Sequence, residues 1–267
     1  MKLSISNIAW EQKYDTEMYV FLKSMGITGL EIAPSRIFPE NPYEQKKKAT
    51  DWKEELLNNY GLEISSMQSI WYGHTERIFG SEEERAFLIE YTKKAILFAE
   101  AIGCKNLVFG NPKNRDTDNI TKNMSVAIDF FKQIGDFAID HNTVVSLEAN
   151  PIIYNTRFLN TTEEAFEMIR KIKSNGIRLN VDLGTIIYNK EDIFSLTKYM
   201  NCINHVHISE PYLVPIEERK DLHNALFEII REGDYLNYIS IEMGKIDDID
   251  KLKKIIIYCL SLYNESI

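Results

Sequence analysis

Cysteine is scarce in this chain, and long apolar runs are absent. The 267 residues contain three widely separated cysteines, Cys104, Cys202 and Cys259, without a CxxC pair. This scarcity excludes a disulfide framework and a cysteine-rich metal knuckle, and it predicts a reducing, cytoplasmic location. No run approaches the roughly 18 apolar residues of a membrane span, and MKLSISNIAWEQ at the N-terminus lacks the apolar stretch of a signal peptide. We therefore predict neither secretion nor a membrane partner.

An excess of basic residues is also missing. Lysine and arginine number 31 against 40 aspartates and glutamates, so the formal net charge is −9. Because a nucleic-acid-binding face needs cations to neutralise phosphates, we predict no nucleic acid partner and a small molecule as the ligand. The composition does not define an oligomeric state, and a homodimer is compatible with it.

Short runs of β-branched residues alternate along the chain with longer amphipathic segments. The predicted strands are Leu3–Trp10, Gly29–Pro34, Leu62–Ile70, Asn106–Gly110, Val144–Glu148, Ile177–Leu183, His205–Ser209 and Tyr238–Glu242. Helical patterns follow at about 15–25, 43–60, 82–102, 120–141, 162–174, 191–200, 217–232 and 247–263. Eight strand–helix units of roughly 33 residues have the count and size of a (β/α)8 TIM barrel, an α/β fold.

We predict one such barrel domain over residues 1–267. The alternative is a doubly wound open sheet, which normally carries a glycine-rich loop after its first strand. The segment SISNIAW has no glycine, so the barrel is the favoured fold.

Polar side chains occupy the ends of the last four predicted strands. In a barrel, alternate strand residues point inward and the C-terminal strand ends form the active site. This alternation points Glu148, Asp182, His207 and Glu242 inward. Three neighbouring carboxylates without a cation would repel one another until some were protonated. We therefore predict that these four residues bind one divalent metal ion, for which Mn²⁺, Zn²⁺, Co²⁺ and Mg²⁺ all suit the mixed oxygen and nitrogen ligands.

His205 also points inward in HVHISEP, but it lies one layer deeper than His207. We predict that it supports the metal ligands rather than binding the metal. The alternative is a hydrogen-bonded histidine of the core.

Further polar residues are predicted to contact the substrate because they follow strand ends or point inward on earlier strands. They are Glu31, Gln68, Asn111, Lys113, Arg115, Glu210 and His223. Cations concentrate on the same face, with Arg36, Arg77 and Arg157 added to the two in FGNPKNR. Such a concentration in an acidic protein indicates a carboxylate or phosphate on the substrate. For the cations and for Glu210 the alternative is a solvated loop charge, and for His223 it is an exposed helix histidine.

The pieces GLEIAP, SMQSIWYG, LVFGNPKNR, SLEANP, NVDLGT, HVHISEP and SIEM resemble, in this order, the xylose-isomerase-like barrel superfamily, in its group of sugar phosphate isomerases and epimerases. The resemblance covers essentially the whole chain. It implies that Glu148, Asp182, His207 and Glu242 are the metal ligands and that Glu148 and Glu242 are the catalytic acid/base pair. It also implies a metal-dependent isomerase or epimerase of a sugar or related hydroxy-carbonyl compound, phosphorylated or acidic, that proceeds through a metal-stabilised enediolate.

Two positions depart from the epimerase pattern. Thr185 stands where many of these enzymes have a histidine, and Leu213 stands where many have an arginine. Both side chains usually grip the substrate, so the resemblance does not define the sugar. An inosose-type dehydratase, which expels a β-hydroxyl after the same proton abstraction, is the alternative enzyme, and a metal-dependent sugar-binding protein is the non-enzymatic one.

The superfamily also contains endonuclease IV, a three-zinc DNA repair enzyme. Its additional zinc ligands are histidines on the third and fourth strands and after the sixth. Here Gln68, Gly110–Asn111 and Thr185 occupy those regions. We therefore expect no trinuclear site, and an endonuclease IV-like phosphodiesterase is the less favoured alternative.

Overall fold

Eight parallel strands close into a barrel in chain order in the computed structural model, which describes residues 1–265. The strands are β1 Lys2–Ser6, β2 Gly29–Ile32, β3 Glu63–Met67, β4 Leu107–Phe109, β5 Val145–Glu148, β6 Ile177–Asp182, β7 Ile203–Ile208 and β8 Tyr238–Ile241. β1 closes the ring by pairing with both β2 and β8, so that Ser4 lies opposite Gly29 and Ser240. The predicted (β/α)8 TIM barrel is confirmed.

Helices surround the strands. Within residues 1–265 the α-helices are α1 Asp15–Ser24, α2 Pro34–Ile37, α3 Lys46–Tyr60, α4 Glu82–Ile102, α5 Ile120–Asp140, α6 Thr162–Ile172, α7 Leu183–Asn189, α8 Lys220–Glu232 and α9 Ile249–Glu265. Capping boxes at Ser81 and Thr161 start α4 and α6: each hydroxyl accepts the N–H of the glutamate three residues on, and that carboxylate accepts the cap's own N–H. None of these helices has the length and apolar character needed to cross a bilayer.

The region after β6 differs from the sequence prediction. The segment at 191–200 was expected to be an α-helix, but it forms 3₁₀ turns over Ile193–Lys198 and Met200–Cys202. Ile193 and Leu196 are the buried residues of the first turn, and their spacing of three fits the 3₁₀ repeat. The unpredicted helix α7 starts directly after Asp182, whose carboxylate accepts the N–H of Thr185 at 2.6 Å. A residue at the end of a strand therefore also caps a helix.

Two different cores lie on the two faces of the strands. Outward residues such as Leu30, Leu147 and Val206 are fully buried in the apolar layer between strands and helices. Inward residues include small polar side chains: the hydroxyls of Ser4 and Ser65 lie 2.6 Å apart, and Ser240 donates to Ser4 at 3.2 Å. The barrel interior therefore supports the site with hydrogen-bonded layers, as the period of two requires.

Candidate active site

Four strand ends bring Glu148, Asp182, His207 and Glu242 together. One ligand atom from each residue lies within 4.8 Å of the others. The Nδ1 atom of His207 is 3.0 Å from a carboxylate oxygen of Glu148 and 3.0 Å from one of Glu242. The strand register produces this proximity, since Asp182 lies directly opposite His207 across β6 and β7. We call these four residues the carboxylate–histidine cluster.

The cluster holds three carboxylates close together in an environment with little access to water, and this disfavours their charged forms. Burial raises the pKa of Glu242 to about 7. Burial and the nearby Glu148 raise the pKa of Asp182 to about 6. Burial opposes the charge on His207 as well, but Glu242, Glu31 and Glu148 together raise the pKa of its imidazole well above the usual value. A divalent cation would balance this excess of negative charge, and three carboxylates with one imidazole are suitable ligands.

Thr185 fixes the orientation of Asp182. Its hydroxyl lies 2.8 Å from the same Asp182 oxygen that its N–H donates to, and Ser209 donates to the other oxygen. Thr185 is buried and hydrogen-bonds the carbonyl of Ala149 at 2.9 Å. Thr185, which stands at the first departure from the epimerase pattern, therefore orients the cluster side chain Asp182.

Glu31 and His205 lie beneath the cluster. A carboxylate oxygen of the fully buried Glu31 is 3.1 Å from His207 Nε2 and 2.9 Å from His205 Nε2, and its other oxygen accepts a hydrogen bond from Gln68 at 2.9 Å. Glu31 therefore holds the far side of the His207 ring and leaves Nδ1 facing the carboxylates. The sequence predicted Glu31 as a substrate contact, but the structure buries it under His207. His205 lies where a supporting residue is expected, although its role stays a prediction.

A cavity of about 270 Å³ opens above the cluster. Its lining is a mixture of amides, hydroxyls and a few apolar groups around three of the carboxylates: Gln68, Ser69, Tyr72, Val108, Gly110, Asn111, Pro112, Glu148, Asn150, Tyr154, Asp182, Leu213 and Glu242. Gly110 is required by space, because a Cβ at this position would lie 2.7 Å from a Glu148 carboxylate oxygen. Of the predicted substrate contacts, Gln68 and Asn111 line this cavity.

The other predicted substrate contacts lie elsewhere. Arg115 is fully buried, and its guanidinium donates to the carbonyl of Glu148 and the side chain of Asn150, both at 2.8 Å. The buried carboxylate of Glu210 pairs with Arg219 at 2.8 Å. His223 is buried beside the Tyr258 hydroxyl at 2.9 Å, and Lys113 is exposed outside the cavity lining. These four side chains lie outside the cavity lining: three are packed against the protein, and Lys113 is exposed to solvent.

The arginines of this face are engaged with the protein. Arg36 pairs with Asp15 at 2.7 Å, and Arg157 pairs with Asp116 at 2.8 Å. Arg77 donates to the carbonyl of Asp116 at 2.8 Å. Within residues 1–265 no lysine or arginine lines the cavity. The three arginines instead connect segments of the protein around it.

Asn150 and Tyr154 belong to the cavity, and the sequence analysis missed both. The amide of Asn150 donates to Glu148 at 3.0 Å while its oxygen accepts from Arg115. Its place two residues after Glu148 is the signal that should have revealed it, because strand alternation points both to the same side. Tyr154 comes from a 3₁₀ turn over Ile152–Tyr154, where no periodic pattern could have predicted its direction.

Comparison with known proteins agrees with this architecture. Inosose dehydratases from two strains of Clostridium perfringens are 25% identical over 225 residues, which is 83% of this chain but 64% of theirs, so the match spans less than two thirds of the relatives' length. Solved structures match the whole fold at low identity. They include 3-keto-D-glucoside 4-epimerase from E. coli (18% identity, TM-score 0.76, covering 98% and 99% of the two chains) and D-psicose 3-epimerase from Clostridium cellulolyticum H10 (13%, 0.82, 100% and 99%).

A D-tagatose 3-epimerase-like protein is 21% identical with a TM-score of 0.76, and the match covers 99% of each chain. At such identities these structures bear on the fold alone. The profile of one protein family aligns to residues 20–256, which is most of the chain. The chain belongs to the xylose isomerase-like TIM barrel family.

Proposed function

We propose that the protein is a divalent-metal-dependent epimerase or isomerase of an uncharged sugar or related hydroxy-carbonyl compound. The observation that supports this most strongly is the carboxylate–histidine cluster at the floor of the cavity. It joins metal-type ligands with two glutamates, Glu148 and Glu242, that also line the cavity. These glutamates come from β5 and β8, three strands apart around the barrel, so they approach the cavity from different directions.

The four cluster residues would hold the metal, which when bound supplies electrophilic stabilisation to the enediolate of a hydroxy-carbonyl substrate. The proton transfers are the work of the glutamates. One carboxylate removes the proton from the carbon beside the carbonyl, and the other delivers a proton. Delivery to the opposite face of the same carbon inverts it, whereas delivery to the neighbouring carbon isomerises the sugar. Asn150 orients Glu148 for this work through the hydrogen bond from its amide.

The lining of the cavity favours a neutral substrate over the anion that the sequence indicated. Amides and hydroxyls from Gln68, Asn111, Asn150 and Tyr154 match the donors and acceptors of a sugar. A phosphate would find no lysine or arginine to pair with in the lining formed by the described residues. We therefore infer an unphosphorylated substrate.

A dehydratase is the second candidate, because the curated relatives matched by sequence are named inosose dehydratases. It would begin with the same proton abstraction and then expel a hydroxyl from the next carbon. The mass of the product separates the candidates: an epimer or isomer keeps the substrate mass, while dehydration removes one water.

The test is metal analysis of the purified protein followed by incubation of the Mn²⁺-loaded protein with ketoses and inososes in D₂O. We expect deuterium at the carbon beside the carbonyl, with Glu242→Gln and Glu148→Gln each losing this exchange. Glu54→Gln, at an exposed position on α3, is the matched control and should exchange like the wild type. Failure to bind any divalent metal, or normal exchange in Glu242→Gln, would contradict the proposal.

A further inference from the structure

The turn after β7 has an unusual backbone. Tyr212 and Leu213 are consecutive and both left-handed, with φ values of 63° and 53°. Left-handed backbone is disfavoured for residues with a Cβ, and turns that need it normally use glycine, asparagine or aspartate. Two non-glycine residues in succession indicate that something other than local preference selects this conformation.

Three separate parts of the fold hold the turn. The N–H of Leu213 donates to the carbonyl of Glu210 at 2.9 Å, and its own carbonyl accepts the N–H of Gly244 at 2.7 Å. The N–H of Tyr212 donates to the Tyr154 hydroxyl at 2.8 Å. Because these partners follow β7, β8 and β5, the turn is fixed to the same strand ends that carry Glu148 and Glu242.

The strained turn delivers one side chain into the cavity. Leu213 is half-buried and lines the cavity together with Glu242, whereas Tyr212 is 64% exposed and lies outside the lining. The hydrogen bond between Gly244 and Leu213 places the leucine beside the segment that follows Glu242. An apolar residue therefore lines the cavity at a position where the backbone itself disfavours leucine.

We propose that Leu213 is a specificity-determining residue, and that the substrate carries a deoxygenated carbon, a methyl group, at the end that lies against it. This inference rests on the proposed function and deepens it by naming the substrate class. A sugar hydroxyl buried against leucine would lose its water partners without gaining a new one, whereas a methyl group would gain apolar contact.

The test compares pairs of sugars that differ by one oxygen. Deuterium exchange catalysed by the Mn²⁺-loaded protein is measured for ketohexoses and for their 1-deoxy and 6-deoxy analogues, and kcat/KM is obtained for each. We expect at least one deoxy sugar to exceed its parent by about tenfold or more, the discrimination typical of one group in an apolar pocket. Equal or faster exchange of the parent in every pair overturns the inference but leaves the epimerase proposal standing. Absence of exchange with every sugar contradicts both.

Variants separate specificity from packing. Leu213→Gly should relieve the strained backbone, so its Tm should not fall, while the deoxy preference should fall by about tenfold. Leu213→Asn accepts the same backbone, offers an amide and should favour the hydroxylated sugar. Tyr212→Gly is the matched control, because it relieves the same strain outside the cavity and should keep the preference. A Leu213→Gly protein with a lower Tm and an unchanged preference would show that the leucine only packs.

Discussion

Glu31 is a buried carboxylate that fixes the orientation of the neighbouring His207 ring. It contacts both inward histidines of β7, yet it lies outside the cavity lining. Its position beneath His207 leaves one ring nitrogen for the cluster above, which is the usual arrangement of a carboxylate that orients a metal-binding histidine. We therefore expect Glu31 to act on the proposed metal through His207.

Replacing Glu31 with glutamine should weaken metal binding. The neutral amide is a poorer acceptor for the His207 ring N–H, so we expect the Kd for Mn²⁺ to rise by about 10-fold to 100-fold. Titration calorimetry with Mn²⁺ measures this directly. Glu63→Gln, on the exposed start of β3, serves as the control and should bind like the wild type. An unchanged Kd in Glu31→Gln would show that His207 needs no such support.

The cluster should also make the metal-free protein sensitive to pH. The pKa of Glu242 is raised from 4.5 to about 7 in the fold, so the folded state binds the proton more tightly than the unfolded chain does. Its contribution to stability is therefore fully present below pH 4.5 and is lost as the pH rises through about 7. Asp182, with a pKa of about 6, adds to the same loss.

We expect the free energy of unfolding of the metal-free protein to fall between pH 5 and pH 7.5 by up to about 3 kcal/mol for Glu242 alone. Urea unfolding in the presence of EDTA measures the change. Glu242→Gln cannot ionise and should show a flatter profile. A profile in Glu242→Gln as steep as that of the wild type would assign the pH dependence to other groups.

Among the secondary-structure elements, those with a strong repeating pattern were predictable, and those that depend on a single side chain were not. The β-branched runs and their alternation predicted all eight strands and the four cluster residues at their ends. Helix α7 escaped because Asp182 caps a helix where a loop was expected. The 3₁₀ turn over Ile193–Lys198 escaped because its buried residues follow a spacing of three rather than the α-helical repeat. The direction of Arg115 escaped because burial, rather than sequence position, turned it toward the end of β5.

Arg115 connects the turn Pro112–Arg115 to β5, and we expect its loss to be a loss of stability. Arg115→Met leaves the carbonyl of Glu148 and the side-chain oxygen of Asn150 without this buried donor, so the free energy of unfolding should fall by about 3 kcal/mol. Lys113→Met, on the same turn but exposed, should change stability by less than about 0.5 kcal/mol. Urea unfolding at one pH measures both. A stable Arg115→Met protein that has lost only substrate binding would restore the contact predicted from the sequence.

Across the whole protein, the sequence predicted the position of the carboxylate–histidine cluster better than it predicted the side chains of the surrounding cavity wall. The cluster was predictable because barrel geometry carries strand ends to one place, whatever the loops do. The cavity wall depends on loop conformations such as those of Tyr154 and Leu213, which no periodicity encodes. The loop cations, by contrast, pair largely with the protein itself, so an anionic substrate stays a prediction of the sequence alone.

Metal binding should stabilise the protein globally, because its ligands come from four consecutive strands. At a free Mn²⁺ concentration about 100 times the Kd, the free energy of unfolding should rise by about 2.7 kcal/mol over that of the EDTA-treated protein. Differential scanning calorimetry should show one transition that moves upward with the metal. His207→Gln should lose this shift, and an equal shift in that variant would place the stabilising metal elsewhere.

The pairing of β1 with β8 joins residues such as Ser4 and Ser240, which are 236 positions apart in the chain. Glu242 follows β8 directly, so the fourth cluster residue is also among the last parts of the barrel to be synthesised. A chain still emerging from the ribosome can present Glu148, Asp182 and His207, but it can neither close the ring nor complete the cluster. The complete four-residue site therefore exists only after β8 has been translated, and a metal that requires all four side chains would bind after that point.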